Sequence, residues 1–303
     1  MLGAQMTICE IARAKINLSL TVVGRRADGY HELESLVTFA DCGDRLRLST
    51  PSDFRVTTSG PFASDITGQN LLERALALLR EIDPGLRLGR IELEKNLPVA
   101  AGLGGGSADA AALLRAVRRA NPDRADALPW AEAALRLGAD VPMCLYGRPA
   151  FVWGIGEGLA PLPSLAAMPA VLVNPRLPLA TSTVFRALGA RAIPAERPPP
   201  LPPPAFPDID SVAAYIRVHG NDLERAATSL LPVIAEVKSA LAALPGCRAA
   251  TMSGSGPTCF GIFVNRSQAR AAAAVLAARH PGYWIVQAEL AGSSAGPPLS
   301  SPG

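Results

Sequence analysis

A glycine-dense run passes without a break into an alanine-rich stretch at Leu97-Pro98-Val99-Ala100-Ala101-Gly102-Leu103-Gly104-Gly105-Gly106-Ser107-Ala108-Asp109-Ala110-Ala111. Four glycines in five positions let the backbone fold back toward a ligand, and the first N–H groups of the helix that follows lack intrahelical acceptors. Such a cradle suits a phosphate, although the same composition also builds plain turns. Two charged residues elsewhere complete a reacting set. In Arg13-Ala14-Lys15-Ile16-Asn17-Leu18, strand alternation puts Lys15 and Asn17 on one face, as a snorkelling edge residue or as a buried charge kept for chemistry. In Gly138-Ala139-Asp140-Val141-Pro142-Met143-Cys144, Asp140 stands just past a helix end and before an apolar run, where a carboxylate needs a cation. If Lys15 is that cation, the pair can take a hydroxyl proton and stabilise the alkoxide opposite a phosphate loop. The competing reading is a structural ion pair.

Ser253-Gly254-Ser255-Gly256-Pro257-Thr258 is a second glycine-rich turn, able to close on phosphates or substrate, or to serve as a simple tight turn. Lys95, at a strand end before the phosphate loop, and Asn70, at a helix start, are candidates for nucleotide contact; Asn70 is equally suited to an N-cap. The letters exclude three better-known loops. No Lys follows the glycines as a Walker A loop requires, and Ser107 stands where the dinucleotide pattern beginning at Gly102 and Gly104 needs its last glycine. The hydrolase elbow fails at Ser253, which replaces its first glycine.

Composition narrows the class. The chain of 303 residues is 49% apolar and 18% charged, enough to bury a sizeable core, and its length suits two domains. A formal charge of +3 with scattered basic residues argues against nucleic acid as a partner. No segment offers about 18 uninterrupted apolar residues and the start lacks a leader pattern, so the expectation is a cytoplasmic protein without a membrane partner. The five cysteines are widely spaced and are read as reduced thiols; three separated histidines make a zinc site improbable. Only three of the 29 basic residues are Lys (Lys15, Lys95 and Lys238), a hint that these positions want a compact ammonium.

The elements that must position these residues read as α+β. Strands are expected over 7–20, 33–39, 44–48 and 54–58, a helix from Asn70 to about Asp83, a strand over 88–95, and helices over 107–119 and 131–137. Beyond a change of composition at 159–169 come a strand over 170–174, an extended proline-rich loop over 194–207 that acts as a spacer or docks a proline-binding partner, and one helix over 221–244. A turn and strand over 249–263, a helix over 267–279 and a frayed tail over 292–303 complete the pattern.

The segments holding Lys15, Pro98 to Ala111, and Ser253 to Pro257 resemble the three motifs of the GHMP kinases, the family of galactokinase, homoserine kinase and mevalonate kinase. With Arg26-Ala27-Asp28-Gly29-Tyr30-His31-Glu32-Leu33 and the triple glycine Gly104 to Gly106, the chain is similar to the branch acting on 4-diphosphocytidyl-2-C-methyl-D-erythritol. The resemblance implies an α+β GHMP kinase two-domain fold. A ribosomal protein S5 domain 2-like N-terminal domain (1–160) would bind ATP, and a ferredoxin-like C-terminal domain (161–291) would precede a flexible tail (292–303). It implies a catalytic pair of Lys15 and Asp140, with Asp140 taking the proton of the substrate's 2-hydroxyl. Asn70, Lys95, Pro98, Gly102, Leu103, Gly104, Gly105, Gly106, Ser107 and Ala108 would hold ATP. Asn17, Tyr30, His31, Asp140, Thr181, Phe185, Gly254 and Ser255 would hold the cytidine diphosphate derivative of methylerythritol, with Phe185 on the ring face opposite Tyr30 and His31. Mg²⁺ is implied without assigned ligands: Ser107 and Asp109 stand at the helix start, and ATP phosphates with water are the other holders. The alternatives are a GHMP kinase for another small alcohol such as homoserine, and a non-catalytic nucleotide-binding protein. Monomer and dimer stay equally open.

Overall fold

The computed structural model describes residues 6–67, 70–194 and 198–291. The chain opens with β1 (Met6–Asn17), β2 (Thr21–Arg25) and β3 (His31–Thr50). The stretches expected as separate strands over 33–39 and 44–48 are one continuous β3. Its interior Gly43 does not break the strand because it gives room to the neighbour: a Cβ there would lie 2.3 Å from the Ala12 carbonyl oxygen. β1 runs antiparallel to β3, with a register shift between Arg13 and Lys15. Beside this irregularity the Lys15 amide donates to the Leu103 carbonyl at 2.8 Å, tying the strand to the glycine loop.

Next come β4 (Arg55–Ser59), α1 (Leu71–Ile82), β5 (Arg90–Glu94), α2 (Gly105–Ala120), α3 (Trp130–Leu137), α4 (Val141–Tyr146), β6 (Ala150–Gly154) and β7 (Gly158–Pro161). The alanines of α2 bring it close against the sheet, where Leu113, Leu114 and Val117 are buried with Leu46, Leu48 and Ile91. Each such side chain contributes about 1.5–3 kcal/mol of hydrophobic stabilisation. α4 is absent from the sequence reading because it is short; Pro142 fits its first turn and Gly147, at φ +66°, ends it.

The remainder comprises β8 (Met168–Asn174), α5 (Thr181–Leu188), α6 (Ile209–His219), α7 (Leu223–Leu230), α8 (Val233–Ala242), β9 (Cys247–Met252), β10 (Cys259–Phe263), α9 (Arg266–Arg279) and β11 (Trp284–Leu290). The single helix expected over 221–244 is corrected to α7 and α8. Pro232 lacks the N–H an uninterrupted helix would need and instead starts the second one. Of the proline-rich loop, the described residues 198–207 form no helix, and Phe206 bridges to Leu165. The tail expected over 292–303 lies outside the described residues.

The main sheet path runs β4-β5-β3-β11-β8-β10-β9. β11 pairs along all of β8 and meets β3 at Leu290↔Ala40, so one sheet crosses from the first half of the chain to the second. A core cluster containing Ala14 and Ile16 of β1 and the following Leu18 also holds Leu97 and Leu103 of the glycine loop and Met168, Leu172 and Phe260 of the later strands. That shared core fixes the loop relative to both halves.

Candidate active site

Leu97 and Leu103 are buried at the two ends of the glycine loop and clamp it, while Gly102 (φ +73°) and Gly104 (φ +61°) supply left-handed turns that other residues avoid. Close approach demands glycine as well. A Cβ on Gly102 would lie 2.4 Å from the Ser253 carbonyl oxygen, and one on Gly104 would lie 3.2 Å from Cβ and Cε of Lys15. The first helical bond of α2 is Ala108 N–H to Gly104 at 2.8 Å. The amides of Gly105, Gly106 and Ser107 therefore have no intrahelical acceptor and sit at the positive end of a sixteen-residue helix.

Beside this loop the Lys15 ammonium donates to Asp140 Oδ1 at 2.7 Å. Lys15 is buried on β1, whereas Asp140, at the N-cap position of α4, is half exposed. Arg115 of α2 steadies α4: its guanidinium donates to the Cys144 carbonyl at 2.9 Å and to Glu10 at 2.8 Å. Burial, reinforced by Asp140, pushes the Cys144 thiol up to about 12, so this neighbouring sulfur stays protonated.

Asn17 lies two residues along β1. Its amide N–H donates to Ser253 Oγ at 3.2 Å, and Nδ2 donates to Ser35 Oγ at 2.7 Å, which in turn donates to the Ser19 carbonyl. Its Oδ1 is buried without a partner, 3.4 Å from where a Cβ on Gly254 would be, leaving an acceptor beside the second glycine turn. Ser253 Oγ donates to the Gly102 carbonyl at 3.0 Å, joining the two glycine turns directly. Ser255 and Thr181 share a hydroxyl–hydroxyl bond of 2.8 Å, linking the same turn to α5.

α5 also carries Phe185, whose ring centroid is 4.6 Å from that of His31 at an interplanar angle of 32°. The chain after α5 is pinned to β2 by Arg25 N–H to the Arg191 carbonyl and Ile193 N–H to the Arg25 carbonyl, which keeps Phe185 over His31. Tyr30 is 59% exposed, its amide bonded to Asp28 Oδ1, and Arg26 faces Asp28, Glu32 and Glu157. Partial burial and then the Arg25 charge lower the His31 pKa, favouring the neutral ring that can both donate and accept. The structure thus pairs His31 directly with Phe185 and leaves Tyr30 open to solvent.

A cavity of about 200 Å³ opens on the other side of the glycine loop, lined by Asn70, Lys95, Pro98, Gly105, Gly106 and Asp109. Asn70 caps α1, its Oδ1 accepting from the Glu73 amide at 2.8 Å. The Lys95 ammonium is already engaged, held by Asp44 and, at 2.7 Å, by Asp109 Oδ2. Asp44 Oδ1 accepts from the amides of Asn96 and Leu97, so this buried cluster fixes the chain just where the loop begins. Burial would lower the Lys95 pKa, but the two carboxylates outweigh it and the net shift is upward. Asp109 is pushed well above the ordinary carboxylate range, chiefly by burial and further by Asp44, against the opposing pull of Lys95. Sequence reading missed Asp44 and the inward commitment of Asp109. The visible signal was a lone acidic residue at the start of an apolar alternating run, and another among alanines.

The candidate residues fall into three adjoining groups: Lys15, Asn17 and Asp140 with the loop; Gly254, Ser255 and Thr181 with the aromatic pair; and Asn70 with Lys95 along the cavity. Residues 70–148 match the GHMP kinases N terminal domain, and residues 204–282 match the GHMP kinases C terminal domain. The 4-diphosphocytidyl-2-C-methyl-D-erythritol kinase of Rhodopseudomonas palustris (strain HaA2) is 52% identical over 282 residues, covering 90% of this chain and 95% of that protein. A crystal structure of 4-(cytidine 5'-diphospho)-2C-methyl-D-erythritol kinase superposes with a TM-score of 0.74 at 36% identity, over 94% of this chain and all of that one. Homoserine kinase from Cytophaga hutchinsonii, at 20% identity and a TM-score of 0.64 over 93% of this chain and 94% of its own, shares the fold. With both domains matched and relatives of this identity spanning nearly the whole chain, the protein belongs to the GHMP kinase family, in its 4-diphosphocytidyl-2-C-methyl-D-erythritol kinase branch.

Proposed function

We propose that this kinase transfers the γ-phosphoryl group of ATP to the 2-hydroxyl of 4-diphosphocytidyl-2-C-methyl-D-erythritol, a step of non-mevalonate isoprenoid precursor synthesis. The observation that carries the reaction type is the Lys15–Asp140 pair at 2.7 Å beside the open amides of α2. In this reading Asp140 takes the hydroxyl proton as the oxygen bonds to the γ-phosphorus, the bond to the β-phosphate bridging oxygen breaks, and ADP leaves. Lys15 offsets the charge that develops on the attacking oxygen. The Gly105, Gly106 and Ser107 amides receive the phosphate oxygens, preorganised because the loop is anchored by Leu97 and Leu103. Asn17 Oδ1 accepts from the alcohol substrate, Gly254, Ser255 and Thr181 approach its phosphates, and Tyr30, His31 and Phe185 hold the cytosine ring. Asn70 and Lys95 border the adenosine, with Pro98, Gly102, Leu103, Gly104 and Ala108 shaping the loop around the triphosphate.

Ser107 and Asp109, at the start of α2, are the side chains that would hold Mg²⁺. Asp109 bonds Lys95 through Oδ2 while its Oδ1 is buried without a partner at the cavity, and among the described residues no group of three or more His, Cys, Asp and Glu side chains gathers. Bound together with ATP, Mg²⁺ would supply charge neutralisation to the phosphates. We assign 1–160 to the nucleotide-binding half and 161–291 to the second half, and place the enzyme in the cytoplasm; no helix among the described residues is long and apolar enough to cross a membrane. The test is ADP release from MgATP with the cytidylylated methylerythritol, homoserine and mevalonate as acceptors. Turnover confined to the first supports the assignment; turnover with homoserine alone overturns it.

A further inference from the structure

Asn221, in the short link between α6 and α7, lies outside all three motifs, yet its side chain grips the second glycine turn. Its Nδ2 donates to the carbonyls of Met252 and Gly254, both at 2.8 Å, and its Oδ1 accepts from the Leu223 amide at 3.0 Å. The residues on either side fasten the link to the connection between β1 and β2 and to β2 itself. Leu20 N–H donates to the Gly220 carbonyl at 2.9 Å, Asp222 N–H donates to the Leu20 carbonyl at 2.9 Å, and Asp222 Oδ2 accepts from the Val22 amide at 2.8 Å. Asn221 therefore has a fixed base on the chain just past Asn17 and on β2, and from it sets the height of the turn.

The turn has little freedom left to absorb an error. Gly254 (φ +55°) passes so close to the phosphate loop that a Cβ on it would lie 3.0 Å from the Gly102 carbonyl oxygen. Ser253 Oγ bridges the Asn17 amide and the Gly102 carbonyl, and Thr258 N–H donates to the Ala101 carbonyl. We propose that Asn221 is a positioning residue for phosphoryl transfer, acting through Ser253 and Gly254 to hold the acceptor side of the site in register with the phosphate loop. This inference rests on the function proposed above. It predicts that misplacing the turn slows the chemical step, because a misplacement well under the length of a hydrogen bond degrades near-attack geometry.

The experiment compares the protein with Asn221→Asp, which keeps the acceptor for Leu223 N–H but turns its other carboxylate oxygen toward the two carbonyls. Ser253→Ala and the double variant complete a cycle. The expected result is a folded variant whose kcat falls about tenfold or more, with KM for ATP changed less than about threefold. Amide hydrogen exchange across residues 253–256 should quicken, and the double variant should fall little below Ser253→Ala alone, the non-additivity of two residues acting through one element. A folded variant with unaltered kcat and unaltered exchange, or losses that add fully, would overturn the proposal. Asn221→Ser, which keeps one short donor, is measured alongside, so that a failure of Asn221→Asp to fold leaves the same two outcomes to be read. Absence of turnover by the unsubstituted protein contradicts the proposed function and with it the positioning role, and the exchange comparison then reads only whether Asn221 orders the turn.

Discussion

The Lys15 side chain is only 9% exposed, while its partner Asp140, 2.7 Å away, keeps 46% of its side chain open to solvent. This asymmetry suits the two roles proposed: burial holds the cation in place, and the carboxylate stays open to an arriving hydroxyl. The backbone repeats the arrangement, since the Lys15 amide bonds the phosphate loop at Leu103 while Asp140 begins a separate helix.

Lys15→Arg keeps the charge and should still abolish most activity. The space beside the strand accommodates a slim alkyl stem, with Gly104 lying so close that a Cβ there would be 3.2 Å from Lys15 carbons. A planar guanidinium cannot be seated at the same point. Steady-state assays should show kcat lowered by about 100-fold or more, with the melting temperature lowered as well because the larger group overpacks a buried position.

Gly104→Ala and Gly106→Ala should fail differently. At Gly104 (φ +61°) a side chain costs about 1–2 kcal/mol of backbone strain and displaces Lys15, so stability and kcat both drop. At Gly106 a Cβ meets only Leu71 Cβ at 3.9 Å, on the lining of the cavity proposed for the nucleotide, so the fold should be retained and KM for ATP should rise. Thermal melts paired with ATP titrations separate the two.

Phe185→Ala and Tyr30→Ala should each raise KM for the cytidine substrate by about three- to tenfold, the equivalent of a stacking contact of ~0.5–1.5 kcal/mol, and leave KM for ATP alone. Phe185→Ala also strips the ring from His31. Equal effects on both substrates would remove Phe185 and Tyr30 from the base site.

Asp109 links the site to pH. Its folded pKa is raised above 3.8, chiefly by burial, so between that value and the raised one the folded state binds more protons than the unfolded state. By linkage this group's contribution to stability is full below the ordinary carboxylate pKa and is lost as pH rises through the folded one. Asp109→Asn removes the titrating group and leaves Lys95 paired with Asp44. Urea midpoints measured upward from about pH 4 should decline more steeply in the unsubstituted protein than in the variant. Parallel profiles would show that Asp109 titrates alike in both states.

Much of this was legible in the letters, because the decisive features are local. Glycines at 102 and 104 to 106 before an alanine run specify the loop and α2, and Asn70 before periodic leucines specifies an N-cap and α1. The sequence hides what depends on contacts between distant segments. The union of two strand stretches into β3 depends on Gly43 packing against Ala12, and the Lys95 cluster depends on Asp44 from 51 residues away. β11 has a weak alternating pattern and is defined by its pairing with β8. The break between α7 and α8 was visible as Pro232 but is obscured by the helical periodicity on both sides.

The most direct measurement is phosphorus NMR of the product formed from MgATP and 4-diphosphocytidyl-2-C-methyl-D-erythritol, run in parallel with Asp140→Asn. A new monoester resonance assigned to the 2-oxygen, formed about 100- to 10,000-fold more slowly by a folded, ATP-binding Asp140→Asn protein, is the predicted result. A monoester at another oxygen, or equal rates for the two proteins, would contradict the account.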